Sequence, residues 1–228
     1  EAVDYCRYYA DQLQNGDFED AAVSPEPCAR DACPQSGIPG VQSTGPGSAG
    51  TITICISPWN FPLAIFIGQV SAALAAGSPV IAKPATQTPL IAAFAAELLH
   101  QAGIPRQALQ FLPGRGDTVG AALTADPRVR GVVFTGSIEV ARLINRSIAG
   151  RDDVRLIAET GGQNAMIVDS SALPEQVVQD VLSSGFDSAG QRCSALRILC
   201  LQHDIADQVL ARLKAAMGEL AIGNPACL

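Results

Sequence analysis

Ser188-Ala189-Gly190-Gln191-Arg192-Cys193-Ser194 places a thiol on a run of small residues. Ala158-Glu159-Thr160-Gly161-Gly162, earlier in the chain, places a carboxylate beside two glycines. A cysteine attacks a carbonyl as its thiolate, and a free thiol titrates near ~8.5, so it needs a base or an electropositive pocket. Glu159 supplies either that base or the one that deprotonates a water hydrolysing a thioester. Each residue alone has a plainer reading, the cysteine as a buried small hydrophobe and the glutamate as an exposed charge. The neighbouring motifs decide between them.

Phe186 to Arg197 (FDSAGQRCSALR) resembles the nucleophile motif of the aldehyde dehydrogenase superfamily. Ser57-Pro58-Trp59-Asn60-Phe61-Pro62, Ala82-Lys83-Pro84, Phe134-Thr135-Gly136-Ser137 and Glu159-Thr160-Gly161-Gly162 resemble its other signatures, in the same order. Any one of these is weak, whereas the ordered set is specific. The wording is most similar to the 1-pyrroline-5-carboxylate (glutamate semialdehyde) dehydrogenase module of bifunctional bacterial proline-utilisation enzymes. Most of residues 1–20 and 50–227 share it, and residues 24–48 do not.

The resemblance implies NAD(P)-dependent oxidation of glutamate semialdehyde to glutamate through a thioester on Cys193. It gives the catalytic roles to Cys193, Glu159 and Asn60, with the Asn60 amide and the Cys193 N–H facing the oxyanion. It has Lys83 grip the adenosine ribose hydroxyls, while Gly136 and Ser137 offer a helix N-terminus to the pyrophosphate. Ser57, Pro58, Trp59, Gly116, Phe134, Thr135, Glu159, Thr160 and Gly161 complete the expected cofactor-facing set, and Ser194 joins Asn60 on the substrate side. Read without the resemblance, Asn60 is equally a turn residue between prolines, Ser194 a loop serine, and Lys83 a solvated lysine at the end of a strand. Arg115, in Gly114-Arg115-Gly116, is as readily a turn residue as an adenine-side one, and Trp59 reads as packing. Thr86 stands where relatives often carry a glutamate, so no carboxylate repels a 2′-phosphate there; NAD is expected, with NADP left open. No Gly-x-Gly-x-x-Gly run sits between an expected strand and the helix after it, so the standard dinucleotide fingerprint is absent.

The 228 residues are 48% apolar and 16% charged, with positive mean hydropathy, which describes a well-buried globular chain rather than a disordered one. A net charge of −7 argues against general binding to nucleic acid or anionic membranes. No apolar run reaches the ~18–20 residues of a transmembrane segment. Seven cysteines cannot all pair internally. Cys55 and Cys200 lie in β-like apolar runs and read as inert buried thiols. Cys28 and Cys33 lie in a Pro/Gly/Ser-rich segment far from either histidine, so no metal site is expected. A reducing cytoplasm is the expected location.

Ala2 to Leu13 carries Val3, Cys6, Tyr9 and Leu13 at helical spacing before Asn15-Gly16. Residues 20–49 read as a long irregular loop. Strands are then expected at 51–56, 79–82, 109–112, 131–134 and 154–158, and helices at 63–76, 89–101, 118–123 and 138–148. After Gly162 the pattern restarts: strand 165–168, a helix 174–187 entered from Ser170-Ser171, strand 196–201 and helix 205–217. The alternation predicts an α/β fold, a Rossmann-like parallel sheet flanked by helices and followed by the start of a second α/β domain. Residues 1–160 form the expected dinucleotide-binding domain and 161–228 a partial catalytic domain, so that nucleophile and base meet across a cleft between domains.

The later Glu-x-Phe-Gly-Pro motif of the relatives is missing, so the expectation is a fragment of about half that domain, inactive by itself. A flavin (FAD) is expected only if a proline dehydrogenase domain belongs to the parent chain, and the parent enzyme is expected to be a homo-oligomer acting on a small-molecule aldehyde. The rival readings are a dehydrogenase for another aldehyde, and a non-catalytic remnant that binds dinucleotide or a partner chain.

Overall fold

The computed structural model describes residues 1–15 and 51–224. The irregular loop expected at 20–49, with Cys28 and Cys33, lies outside the described residues. The chain divides into two compact units, Glu1–Thr160 and Gly161–Leu228.

The first unit is built on a five-stranded sheet. β1 (Ile52–Ile56), β2 (Val80–Lys83), β3 (Leu109–Phe111), β4 (Val129–Gly136) and β5 (Arg155–Thr160) follow one another in sequence. Their spatial order is β3-β2-β1-β4-β5, and every pairing is parallel. Parallel neighbours require a crossover, and short apolar strands joined by helices supply one at each step. α2 (Ala64–Ala75) and α3 (Pro89–Gln101) carry the first two crossovers; α4 (Ala121–Ala125) and α5 (Ile138–Ile148) carry those around β4.

Side chains alternate across the sheet, and each face has its own core. Cys55, Val80, Ala82 and Leu109 pack with Phe66, Val70, Ala92 and Ala96 of α2 and α3. On the other face Ile54, Val132 and Phe134 pack with Ile144 of α5. Cys55 pairs in register with Ala82, and Ile54 with Val132, so one residue step along β1 moves from one core to the other. α1 (Ala2–Asn15) lies against the first core through Ala2, Tyr5 and Cys6. Val3, expected on its apolar face, is instead 60% exposed, because the helix turns Ala2 and Tyr5 inward.

The second unit holds a two-stranded parallel sheet, β6 (Asn164–Val168) and β7 (Leu196–Leu201). α6 (Pro174–Phe186) and α7 (His203–Gly218) cover one face, with Val168, Val177, Val181, Val209 and Leu213 as the core. The other face of this sheet carries Ile167, 84% exposed, and its register partner Cys200. Cys200 is therefore an exposed thiol and not the buried one expected from its apolar strand. A strand's apolar run does not tell which of its two faces is covered. The expected entry of α6 from Ser170-Ser171 also differs: Leu173 precedes the helix, and the Ser171 hydroxyl donates to Asp169 Oδ1.

The starts and ends of most elements fall within a residue or two of the expected ones. β4 is longer, reaching back to Val129, and Gly116–Gly120 forms a π-helical turn ahead of α4. Among the described residues no helix is long and apolar enough to cross a membrane.

Phe66 and Ile54 are fully buried, in the cores on opposite faces of the sheet, whereas Leu90 on α3 is 83% exposed. Phe66→Ala and Ile54→Ala are expected to lower the unfolding free energy by about 2–5 kcal/mol each, and Leu90→Ala by less than about 0.5. Urea unfolding followed by circular dichroism checks this ordering.

Candidate active site

In the first unit the order β3-β2-β1-β4-β5 reverses between β1 and β4: the chain steps from β1 to β2 and β3, then returns to the other side of β1. Loops leaving β1 and β4 diverge there, opening a crevice at the carboxyl ends of the strands, where open α/β sheets bind ligands. Ser57, Pro58, Trp59 and Asn60 follow β1; Thr135 and Gly136 end β4, with Ser137 after them; Glu159 and Thr160 end β5; Lys83 ends β2. Topology thus brings motifs spread over a hundred residues to one edge of the sheet. Thr135 and Glu159 are register partners, as are Gly136 and Thr160.

Ser57 is buried, and its backbone N–H donates to Lys83 O at 3.2 Å. Asn60 is half-buried in the bend before α2, and Trp59 beside it is 44% exposed, so its indole is only partly packed. Lys83 is 3% exposed, which removes the solvated-lysine reading. Its Nζ donates to Pro84 O at 3.0 Å, its stem runs beside Gly120, and burial pushes its pKa down. Thr86 is exposed and its hydroxyl donates to Gly114 O at 3.4 Å. Arg115 pairs with Asp117 at 2.5 Å, and Gly116 is exposed with no neighbour where a Cβ would stand.

Phe134 is a core residue whose ring lies beneath Gly136. A Cβ at Gly136 would meet Phe134 Cζ at 2.5 Å, so the turn after β4 admits only glycine without displacing the ring. Phe134 therefore shapes the turn from within the core. Ser137 caps α5, its hydroxyl accepting from Val140 N–H at 3.3 Å. Glu139 in the same first turn has its pKa lowered by its own backbone N–H and by the Ser137 hydroxyl. Ser57 Oγ and Gln69 Oε1 are buried polar atoms without a protein partner. A buried unpaired polar group costs about 1–3 kcal/mol, and polar atoms held at the carboxyl ends of a parallel sheet suit a hydrogen-bonding ligand such as a dinucleotide.

In the second unit the chain reaches Cys193 through an unusual turn. Ser188 (φ 55°), Ala189 (φ 53°) and Gly190 (φ 66°) are all left-handed. For Ser and Ala that conformation costs about 1–2 kcal/mol each, so surrounding bonds must hold it. Three side chains do so. Arg192 Nη2 donates to Ser183 O and Ser184 O at the end of α6, and Arg197 Nη2 to Gly190 O at 2.7 Å. Asn164 Nδ2 donates to Cys193 O at 2.7 Å and to Ala195 O at 3.0 Å. Glycine at 190 is required twice over, since a Cβ there would lie 2.8 Å from Gly185 O in a left-handed backbone. The result is an exposed Cys193 thiol, with Ser194 and Gly161 also exposed in this unit.

Asn164, Arg192, Arg197 and Gln69 were not singled out by their residue types. Arg192 and Arg197 lie inside the nucleophile motif they brace, whereas Asn164 stands 29 residues before Cys193 and Gln69 lies in an apolar helix. Among the described residues no three His, Cys, Asp or Glu side chains gather as a metal site.

Brief iodoacetamide treatment is expected to label Cys193 and Cys200 and to spare Cys55, whose burial pushes its pKa up to about 12. Asn164→Ala leaves the Cys193 and Ala195 carbonyls without their donor and should alter the labelling rate of Cys193 while leaving that of Cys200 unchanged. Peptide mapping by mass spectrometry reads both results.

Residues 1–227 match the aldehyde dehydrogenase family. The chain is 57% identical over 230 residues to the bifunctional protein PutA of Klebsiella aerogenes, covering 99% of this chain and 16% of that protein. It is 36% identical over 231 residues to the 1-pyrroline-5-carboxylate dehydrogenase of Geobacillus thermodenitrificans, covering 99% of this chain and 42% of the relative. Among solved structures, a Bradyrhizobium japonicum Proline Utilization A (PutA) mutant superposes with a TM-score of 0.81 at 50% identity, over 98% of this chain and 22% of that one. A betaine aldehyde dehydrogenase from Staphylococcus aureus, crystallised with NAD+, superposes with a TM-score of 0.73 at 31% identity, over 76% of this chain and 35% of that one. The chain thus spans less than half the length of each of these relatives. With its ordered motifs, its parallel sheet and a family match over nearly its whole length, this chain belongs to the aldehyde dehydrogenase family.

Proposed function

We propose that the protein takes part in proline catabolism by oxidising glutamate semialdehyde, the open form of 1-pyrroline-5-carboxylate, to glutamate. The observation that carries this reading is the exposed Cys193 thiol on a left-handed turn braced by Asn164, Arg192 and Arg197. The names and identities of the PutA and 1-pyrroline-5-carboxylate dehydrogenase relatives support the substrate.

The Cys193 thiolate attacks the aldehyde carbon, forming a C–S bond and a tetrahedral oxyanion. The Asn60 amide and the Cys193 backbone N–H stabilise that charge. Collapse of the oxyanion to the carbonyl of a thioester expels the hydride. Glu159 then takes a proton from water, whose oxygen attacks the thioester; the C–S bond breaks, the acid leaves, and the thiol is restored. The Ser194 hydroxyl donates to the substrate carboxylate.

NAD is the proposed cofactor; when bound it supplies the hydride acceptor. The crevice between β1 and β4 suits it through the buried unpaired Ser57 Oγ and Gln69 Oε1. Lys83 would face the ribose, Gly136 and Ser137 the pyrophosphate, and Gly116 the adenine side, with Ser57, Pro58, Trp59, Thr135, Thr160 and Gly161 lining the remainder. Phe134 contributes from beneath, by fixing the Gly136 turn. Thr86 brings no negative charge to the ribose, so NADP is the cofactor to compare.

Stopped-flow absorbance of NADH at saturating cofactor separates the role of Glu159 as base from that of Asn60 as oxyanion donor. Glu159→Gln keeps volume but removes the base, so one burst of NADH should appear, followed by a stalled steady state. Asn60→Ala should slow the burst itself by about 10²–10³. Loss of the burst in Glu159→Gln, together with a thiol unreactive to iodoacetamide, would instead make Glu159 the base that activates Cys193.

A further inference from the structure

Gln69 is the one polar residue among the buried side chains of α2, beside Phe66, Ile67, Val70 and Ala73. An amide buried in such company is costly unless it is bonded. Gln69 spends its donors on two strands at once. Nε2 donates to Ile56 O, the last carbonyl of β1, at 3.2 Å, and to Thr135 Oγ1, near the end of β4, at 3.0 Å. These are the strands between which the sheet order reverses, and their last paired residues are Ile56 and Phe134. Ser57 and Thr135 each follow those residues by one step. By the two-residue alternation they fall on the same face as Cys55 and Val133, the face that α2 covers.

We propose that Gln69 is a positioning residue, a clamp that fixes the spacing between the Ser57–Asn60 loop and the Thr135–Ser137 turn. It acts through the Ile56 carbonyl and the Thr135 hydroxyl. A parallel sheet alone does not impose this spacing, because ladder bonding between β1 and β4 ends where the two loops diverge. The clamp itself is independent of the proposed reaction; only its consequence for cofactor affinity rests on that reading.

Trp59 is the single tryptophan of the chain and stands two residues past Ser57, so its fluorescence reports on the clamped loop directly. Gln69→Met keeps length and packing but removes both donors together with the unpaired Oε1, so Trp59 quenching and not NADH affinity judges the clamp. Thr135→Val removes one acceptor, and Ser71→Ala, on the same helix, removes only bonds to Ile67 O and Gly68 O within it and serves as control. In the full chain, Gln69→Met is expected to raise acrylamide quenching of Trp59 and to weaken NADH binding by about tenfold, the equivalent of one good interaction. Thr135→Val should loosen Trp59 as well, and the double variant should add less than the sum of the singles. Ser71→Ala should match the wild type. Wild-type quenching in Gln69→Met, or strict additivity in the double variant, overturns the clamp. Circular dichroism melting establishes that each variant is folded; if Gln69→Met does not fold, Thr135→Val against Ser71→Ala still decides, since equal quenching in those two overturns the proposal. If wild-type protein itself does not bind NADH, the functional reading fails while the Trp59 comparison still judges the clamp.

Discussion

The parallel pairing of β1 with β4 is the constraint on which the first unit depends. Ile54 opposite Val132 and Ile56 opposite Phe134 place the two strands side by side, although two other strands intervene in sequence. That arrangement is maintained because both faces of the sheet are buried, one beneath α2 and α3 and the other beneath α5. A one-residue slip of β1 would exchange Ile54 and Cys55 between two different cores. The site is a consequence of the same pairing: wherever β1 and β4 are neighbours, their following loops must diverge, and the residues in those loops face a common crevice.

The second unit meets a different physical demand, which is to hold a thiol out in solvent on a conformation that its residues disfavour. Side-chain donors satisfy backbone carbonyls on both sides of Cys193, and the left-handed turn from Ser188 to Gly190 is maintained by Arg192 and Arg197. The strain is local, whereas its support comes from β6, β7 and the end of α6. Rigidity at such a point fits a nucleophile that must present one atom in one direction.

Most of this architecture was legible in the sequence because it is written in local period. Runs such as Ile52–Ile56 and the helical spacing of Ile138–Ile148 declare themselves without reference to distant residues. The motif residues were legible by resemblance, and topology explains why they share one edge. What escaped was of three kinds. Long-range amide bonds, such as Gln69 to Thr135 or Asn164 to Cys193, join residues whose types carry no sign of their partners. Burial also depends on which faces are covered: Cys55 and Cys200 lie in similar apolar strands, yet one is closed under α2 and the other faces away from α6 and α7. Nothing in Ser188 or Ala189 announces a positive φ, since both residues ordinarily avoid it.

The central claim of the proposed function is that Cys193 carries the acyl group between oxidation and hydrolysis. The direct measurement is acid quenching of the full-length protein during turnover of the proposed semialdehyde with NAD, followed by mass mapping of every cysteine peptide. The account predicts a thioester adduct on the Cys193 peptide alone, abundant in Glu159→Gln and absent from Cys193→Ala. An adduct on Cys200 or Cys55, or NADH formation that persists in Cys193→Ala, would contradict it.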